Sequence, residues 1–267
     1  MRVFAVFFAA CSIILAQFDA NEIVRRSVEN ADRSWQARES YLYTKRSEEK
    51  RLDASGGVKS DVVDVVNHLV VNGGPAEVTV SHDGGPATAA QQRQNHDALE
   101  QRRLETPAKR ADRLQESRDS HAFIDEVPQA FDFRIIGKDE INGRTAYVLS
   151  AIPKPGFQAR TKYGKIFAQV QAKLWVDEQD FGWVKADVTV MEPFSMGYFL
   201  ARVQPGSRIL FEQTRVGDGL WMPVKVDVAA NARVLFLVNY KMDETITYTD
   251  YRPAPRANLT STSAGVR

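Results

Sequence analysis

The chain has a single cysteine, Cys11, so it can close no internal disulfide and offers no cysteine-based metal site. Neither sign of charge dominates. Lys and Arg total 35 against 34 Asp and Glu, and without Arg2 the balance is 34 to 34. A nucleic-acid binder would carry a basic excess, and so would a protein held on anionic lipid by charge alone. There is no apolar run long enough for a membrane span. The N-terminal run Val3 to Ala16 is 14 residues long, whereas a bilayer needs about 20.

Signature motifs are missing as well. The four histidines, His68, His82, His96 and His121, are scattered, and none stands at metal-ligand spacing from a second His, Asp or Glu. No nucleophile elbow, P-loop or Gly-rich dinucleotide loop is present. His82-Asp83-Gly84-Gly85-Pro86 reads as a turn between strand and helix. The acidic pairs Asp139-Glu140 and Asp243-Glu244 read as solvated turn charges. These absences predict no catalytic residue, no metal and no cofactor, and leave a hydrolase as the third of three readings.

What is present begins with the leader. Met1-Arg2 precedes the uncharged run to Ala16, the layout of a secretory signal. The sequence predicts cleavage after Ala16, or as late as Ala20. Phe8-Ala9-Ala10-Cys11 lacks the aliphatic residue of a lipobox, and the run stays apolar beyond Cys11. Export without lipidation is therefore expected, to a periplasmic or outer-membrane-associated location. The mature chain would then contain no cysteine and would rest on its core alone.

Asp19 followed by Glu22 fits a capping box. Ile23, Val24, Ser27, Val28, Ala31 and Trp35 share one face at helical spacing, which predicts a helix over 20–37. The Val-rich stretch 58–72 reads as strand on its β-branched content. Residues 87–118 are rich in Gln, Arg, Glu and Ala and predict a solvated helical insertion broken at Pro107. From Ala130 onward alternation dominates. Phe131, Phe133 and Ile135 share a face, and Asn142-Gly143 marks a hairpin. Ile166 to Val176 alternate, as do Val184 to Val190, and Leu220 to Val228 would form a further inner row.

The expected fold is α+β and mostly β: about eleven antiparallel strands joined as neighbouring hairpins. Such a sheet must curl into an incomplete barrel or be covered by helices on its apolar side. The domain would run to residue 252, with a disordered Pro-, Ser- and Thr-rich tail over 253–267.

Two features stand above this background. Phe194, Met196, Tyr198, Phe199 and Leu200 make an apolar connection over 193–200. It reads either as an irregular strand in the core or as a loop in transient contact with a membrane, lipid or partner. The second is the pair of strands near 207–216 and 232–241, apolar on both faces. A ligand-holding apolar face would draw on Val170, Leu174, Val188, Ile209, Phe211, Val226, Leu235 and Leu237, with Arg233 reaching a head group.

Several strand-and-turn signatures carry a resemblance. They are Asp83-Gly84-Gly85-Pro86, Phe131-Asp132-Phe133-Arg134, Asn142-Gly143-Arg144, Lys173-Leu174-Trp175-Val176-Asp177, Leu220-Trp221-Met222-Pro223 and Tyr248-Thr249-Asp250-Tyr251-Arg252. In these the sequence resembles the outer-membrane lipoprotein-sorting, LolA/LolB-like superfamily, most nearly an uncharacterised exported branch of it. The resemblance implies a strongly curved antiparallel half-barrel with helices over its concave side, a hollow that holds acyl chains of lipids or lipoproteins, and in some members an envelope protein as partner. The chain differs from the sorting proteins in its insertion at 87–118 and in having no lipobox.

Overall fold

The structure is a computed structural model that describes residues 19–196, 201–234 and 238–255. The predicted leader 1–16, the residues Tyr198, Phe199, Leu200, Leu235 and Leu237, and the tail from 256 lie outside the described residues. In chain order the elements are α1 (Ala20–Arg38), β1 (Tyr41–Leu52), β2 (Val58–Val71), β3 (Gly74–His82), β4 (Gly85–Pro86), α2 (Ala89–Arg103), α3 (Pro107–His121) and α4 (Val127–Ala130). There follow β5 (Phe131–Ile141), β6 (Arg144–Pro153), β7 (Val170–Asp177), β8 (Trp183–Val190), β9 (Phe194–Met196), β10 (Ala201–Val203), β11 (Arg208–Arg215), β12 (Trp221–Val234) and β13 (Val238–Pro253).

Every pairing is antiparallel, and the sheet runs β4-β3-β2-β1-β13-β12-β11-β8-β7-β6-β5, with β9 and β10 off the path beside β12. The two ends do not pair with each other, so this is an open, incomplete barrel. Thirteen strands are present against about eleven expected, and three of them, β4, β9 and β10, are very short. Neighbouring hairpins alone do not describe the order. β1 lies against β13, Ser47 opposite Ile246, so the two ends of the domain meet in mid-sheet. Three tight turns, Asn72-Gly73, Asp83-Gly84 and Asn142-Gly143, have positive φ at both residues, as the twist of two-residue hairpins requires.

Irregularities bend the ladder and redirect side chains. Trp175 pairs with Lys185 and Val176 with Trp183, which leaves Val184 in a bulge. Glu212 pairs with Lys225 and Gln213 with Pro223, which does the same to Val224. Val184 and Val224 therefore lie beside Trp175 on the outer face, not in the inner rows that alternation predicts. Residues 164–169 form a 3-10 turn rather than the start of β7, and Ile166 and Phe167 both pack on the core.

The main core lies between α1 and the helix-bearing face of β5–β8. Ile23, Val24 and Val28 meet Leu149, Val170, Leu174, Val176 and Ala186, with Ile124, Val127 and Phe131 closing the side. The insertion became two helices. α2 starts at a complete capping box of Thr88 and Gln91, and α3 starts with Pro107 at its first turn behind Thr106. Neither helix has a buried residue. α2 is pinned to β3 by Asn95, whose amide both accepts from Thr79 N (2.9 Å) and donates to Thr79 O (2.8 Å).

Candidate functional site

α1 is fastened by a polar seam as well as by its apolar side. Asn30 Nδ2 donates to Asp180 O (2.9 Å) and Gly219 O (3.1 Å), while Asn30 Oδ1 accepts from Ser34 Oγ (3.2 Å). Ser34 Oγ accepts from Trp221 N (3.0 Å), and Ser27 Oγ accepts from Trp183 Nε1 (2.7 Å). Buried polar groups are tolerated only when paired in this way. An Asn30→Ala change strips two carbonyls and one hydroxyl of a partner. It is expected to lower stability by about 2 kcal/mol in chemical denaturation.

Beyond this seam the core does not fill the space under the helices. An apolar hollow of about 340 Å³ opens between the C-terminal half of α1, the 121–124 turn and the sheet. Trp35, Phe123, Ile124, Trp183, Phe211 and Met222 line it, and Arg38 stands in its wall. Its size lies within the range of small-molecule sites, about 300–1,000 Å³. His121 stacks flat on Trp35 (4.4 Å between ring centres) and its Nε2 lies 2.8 Å from Asp32 Oδ1, which ties α3 to α1 over the hollow.

A second, larger hollow, about 1140 Å³, lies between the β1–β3 end of the sheet and the α2–α3 corner. Its sheet side carries Tyr43, His68 and Glu77, its roof Asp97, Glu100, Arg102 and Glu105, and Arg38 belongs to its wall too. His68 stacks on Tyr43 (4.3 Å), and Tyr251 and Tyr248 crowd Tyr43 from β13. Burial holds the His68 pKa below that of a free imidazole, with Arg38 and Lys45 adding to the effect. It raises the phenols of Tyr43, Tyr248 and Tyr251. His68 is 8% exposed, and neither ring nitrogen has a hydrogen-bond partner.

The predicted ligand residues scatter. Phe211 reaches the apolar hollow. Val170 and Leu174 are buried beneath α1, and Val188 is half-buried against the same core. Val226 pairs with Phe211 and Ile246 on the helix-bearing side, and Ile209 on that side is 44% exposed. Arg233 is exposed near the end of β12, opposite Arg202 and Asn239, apart from both hollows. Phe194 packs on the core, while Met196 ends β9 opposite Ala201.

Tyr43, His68, Arg38, Trp35 and Met222 carry the hollows and were not singled out from sequence as ligand residues, since they converge from α1, β1, β2 and β12. Among the described residues no group of three or more His, Cys, Asp or Glu could hold a metal, and no helix is long and apolar enough to cross a membrane. His82 Nδ1 lies 2.7 Å from Asp64 Oδ1, which raises the imidazole pKa.

No protein-family profile matches the chain, and no curated protein does. Solved structures similar to it are named as proteins of the LolA superfamily and of outer-membrane lipoprotein sorting. An outer-membrane lipoprotein-sorting protein domain from Vibrio parahaemolyticus is 13% identical, with a TM-score of 0.36 over 88% of this chain and 95% of that one. A LolA superfamily protein from Nitrosomonas europaea is 10% identical, with a TM-score of 0.32 over 90% and 96%. MucB in the MucA/MucB complex of Pseudomonas aeruginosa is 12% identical, with a TM-score of 0.23 over 86% and 99%.

Proposed function

We propose that this chain is an extracytoplasmic binder or carrier of an acyl-chain ligand, a lipid or the lipid-bearing end of a lipoprotein. The observation that carries the reading is the apolar hollow left between α1 and the sheet, walled by five Trp and Phe residues and Met222. An alkyl chain entering it removes apolar area from water at about 25 cal/mol per Å², and the wall offers the chain few polar groups to desolvate.

Native mass spectrometry of the protein purified from its own cell envelope is expected to show a co-purifying lipid. Added lipid at a hundredfold excess over its dissociation constant should stabilise the fold by about 2.7 kcal/mol, about 5–10 °C for a chain of this length. Phe211→Glu, which sets a charge in the hollow wall, should abolish both signals. Absence of lipid together with an unmoved melting temperature would overturn the reading.

A second reading is an envelope sensory or protein-interaction domain. It is favoured by α2 and α3, whose residues are all unburied and whose connection holds out Leu104, 76% exposed. Leu104→Ser would then weaken capture of an envelope protein and leave lipid binding unchanged.

A further inference from the structure

The two hollows share one residue, Arg38, at the last turn of α1. Its guanidinium has no carboxylate within ion-pair distance among the described residues. It lies close enough to His68, Tyr43, Tyr248 and Tyr251 to act on all four electrostatically.

His68 is the second observation. A buried imidazole with both nitrogens unpartnered carries an unmet desolvation penalty, and native proteins rarely leave such a group without a role. No protein group answers it. Tyr43 covers its face, so its edge is what remains for a ligand that enters from the hollow and displaces the wall side chains now covering it.

The nearby acids are largely committed. Glu105 is held by Arg113 (3.0 Å) and by Arg102, Glu100 by Arg103 (2.9 Å), and Glu77 faces Lys45 (3.8 Å). Asp97 sits on the α2 side, across the hollow from the sheet. The floor around Arg38 is therefore rich in donors, with five guanidinium N–H groups, one imidazole N–H and the Tyr43 hydroxyl.

We infer that the ligand is an anionic amphiphile, its tail in the apolar hollow and its carboxylate or phosphate head on Arg38 and His68. This rests on the acyl-chain reading above and names the ligand class. The planar donor fork of Arg38 suits either head, and a charge-assisted bond in a half-buried site is stronger than a neutral one. The head group also supplies the acceptor that a neutral His68 N–H lacks.

The test is calorimetric titration of the full chain with sodium dodecanoate, dodecyl phosphate and dodecanol, three heads on one tail. Either or both anions should bind about tenfold tighter than the alcohol, as a charged hydrogen bond implies. The tighter of the two identifies the head. Arg38→Gln should erase that preference and leave dodecanol unchanged, while Arg38→Lys should restore part of it. His68→Phe keeps the stacked ring and should weaken the anions alone. Equal affinity for anion and alcohol in the wild type, or a preference that survives Arg38→Gln, would overturn the head-group site while the acyl-chain reading stands. If none of the three binds, the acyl-chain reading fails and this inference falls with it.

Discussion

Replacing Asp177 by Ala is expected to lower the unfolding free energy by about 3–5 kcal/mol, the scale of a buried ion pair that loses one partner. Asp177 is buried at the end of β7. It accepts two bonds from Arg144 (2.7 Å each) and two more from the backbone N–H groups of Gln179 (3.0 Å) and Asp180 (2.7 Å). Removing it leaves those two N–H groups without acceptors and hands Arg144 entirely to Asp180 (3.1 Å), which already binds Arg215 (2.6 Å). The 177–182 turn carries the Asp180 carbonyl that holds Asn30, so the loss passes directly to the seating of α1. For a chain of this length the midpoint should fall by about 10 °C. Asp177→Asn keeps an acceptor for the turn and should lose less.

The same residue gives a dependence on pH. Burial by itself would raise the Asp177 pKa, but Arg144 and the two backbone N–H groups bring it below the usual aspartate value. A carboxyl whose pKa is depressed on folding stabilises the fold above its unfolded value, near 3.8, and loses that contribution as pH falls through the folded value. The gap between wild type and Asp177→Asn should therefore be constant at neutral pH and close below about pH 4. A gap that widens on acidification would reverse the assignment.

Much of the fold was legible because its signals are local. The face of α1, the Asn-Gly turns and the strand content of 58–72 follow from periodicity and turn chemistry within a few residues. The bulges at Val184 and Val224 were not, since each depends on how a neighbouring strand pairs. The β1–β13 junction was not, because it joins segments about two hundred residues apart whose polar-rich faces carry no alternation strong enough to name a partner.

The site shows the same division. Phe211 stood out as an apolar residue on a strand apolar on both faces, and it reaches the hollow. Asn30 and Ser34 lie outside the set of residues that marks the apolar face of α1, yet both are buried, because the 177–182 turn and β12 come to meet them. His68 looked like one of four scattered histidines. Only the stacking of Tyr43 from β1 and the crowding from β13 turn it into a buried, unpartnered ring.

Gly182→Ala is expected to cost more than the usual 1–3 kcal/mol of an overpacked core. The Cβ added there would land on Cδ1, Nε1 and Cε2 of the Trp221 indole, inside any attainable van der Waals contact. The backbone at Gly182 lies outside the left-handed region, so contact with Trp221, and not conformation, demands a glycine. Trp221 has nowhere to go. Its side chain is buried among Ala146, Val148, Trp175 and Val184, and its backbone N–H is bonded to Ser34 Oγ. The decisive measurement is a double-mutant cycle with Trp221→Leu. If the clash is the cause, Gly182→Ala should become nearly neutral in that background, a coupling of at least about 2 kcal/mol. Additive losses would place the role of Gly182 elsewhere. The cycle also bears on ligand binding. Trp221 forms part of the wall of the apolar hollow, so Gly182→Ala, which forces the indole out of place, should weaken the binding of dodecanoate and dodecanol by the same factor, whereas Arg38→Gln should weaken dodecanoate alone.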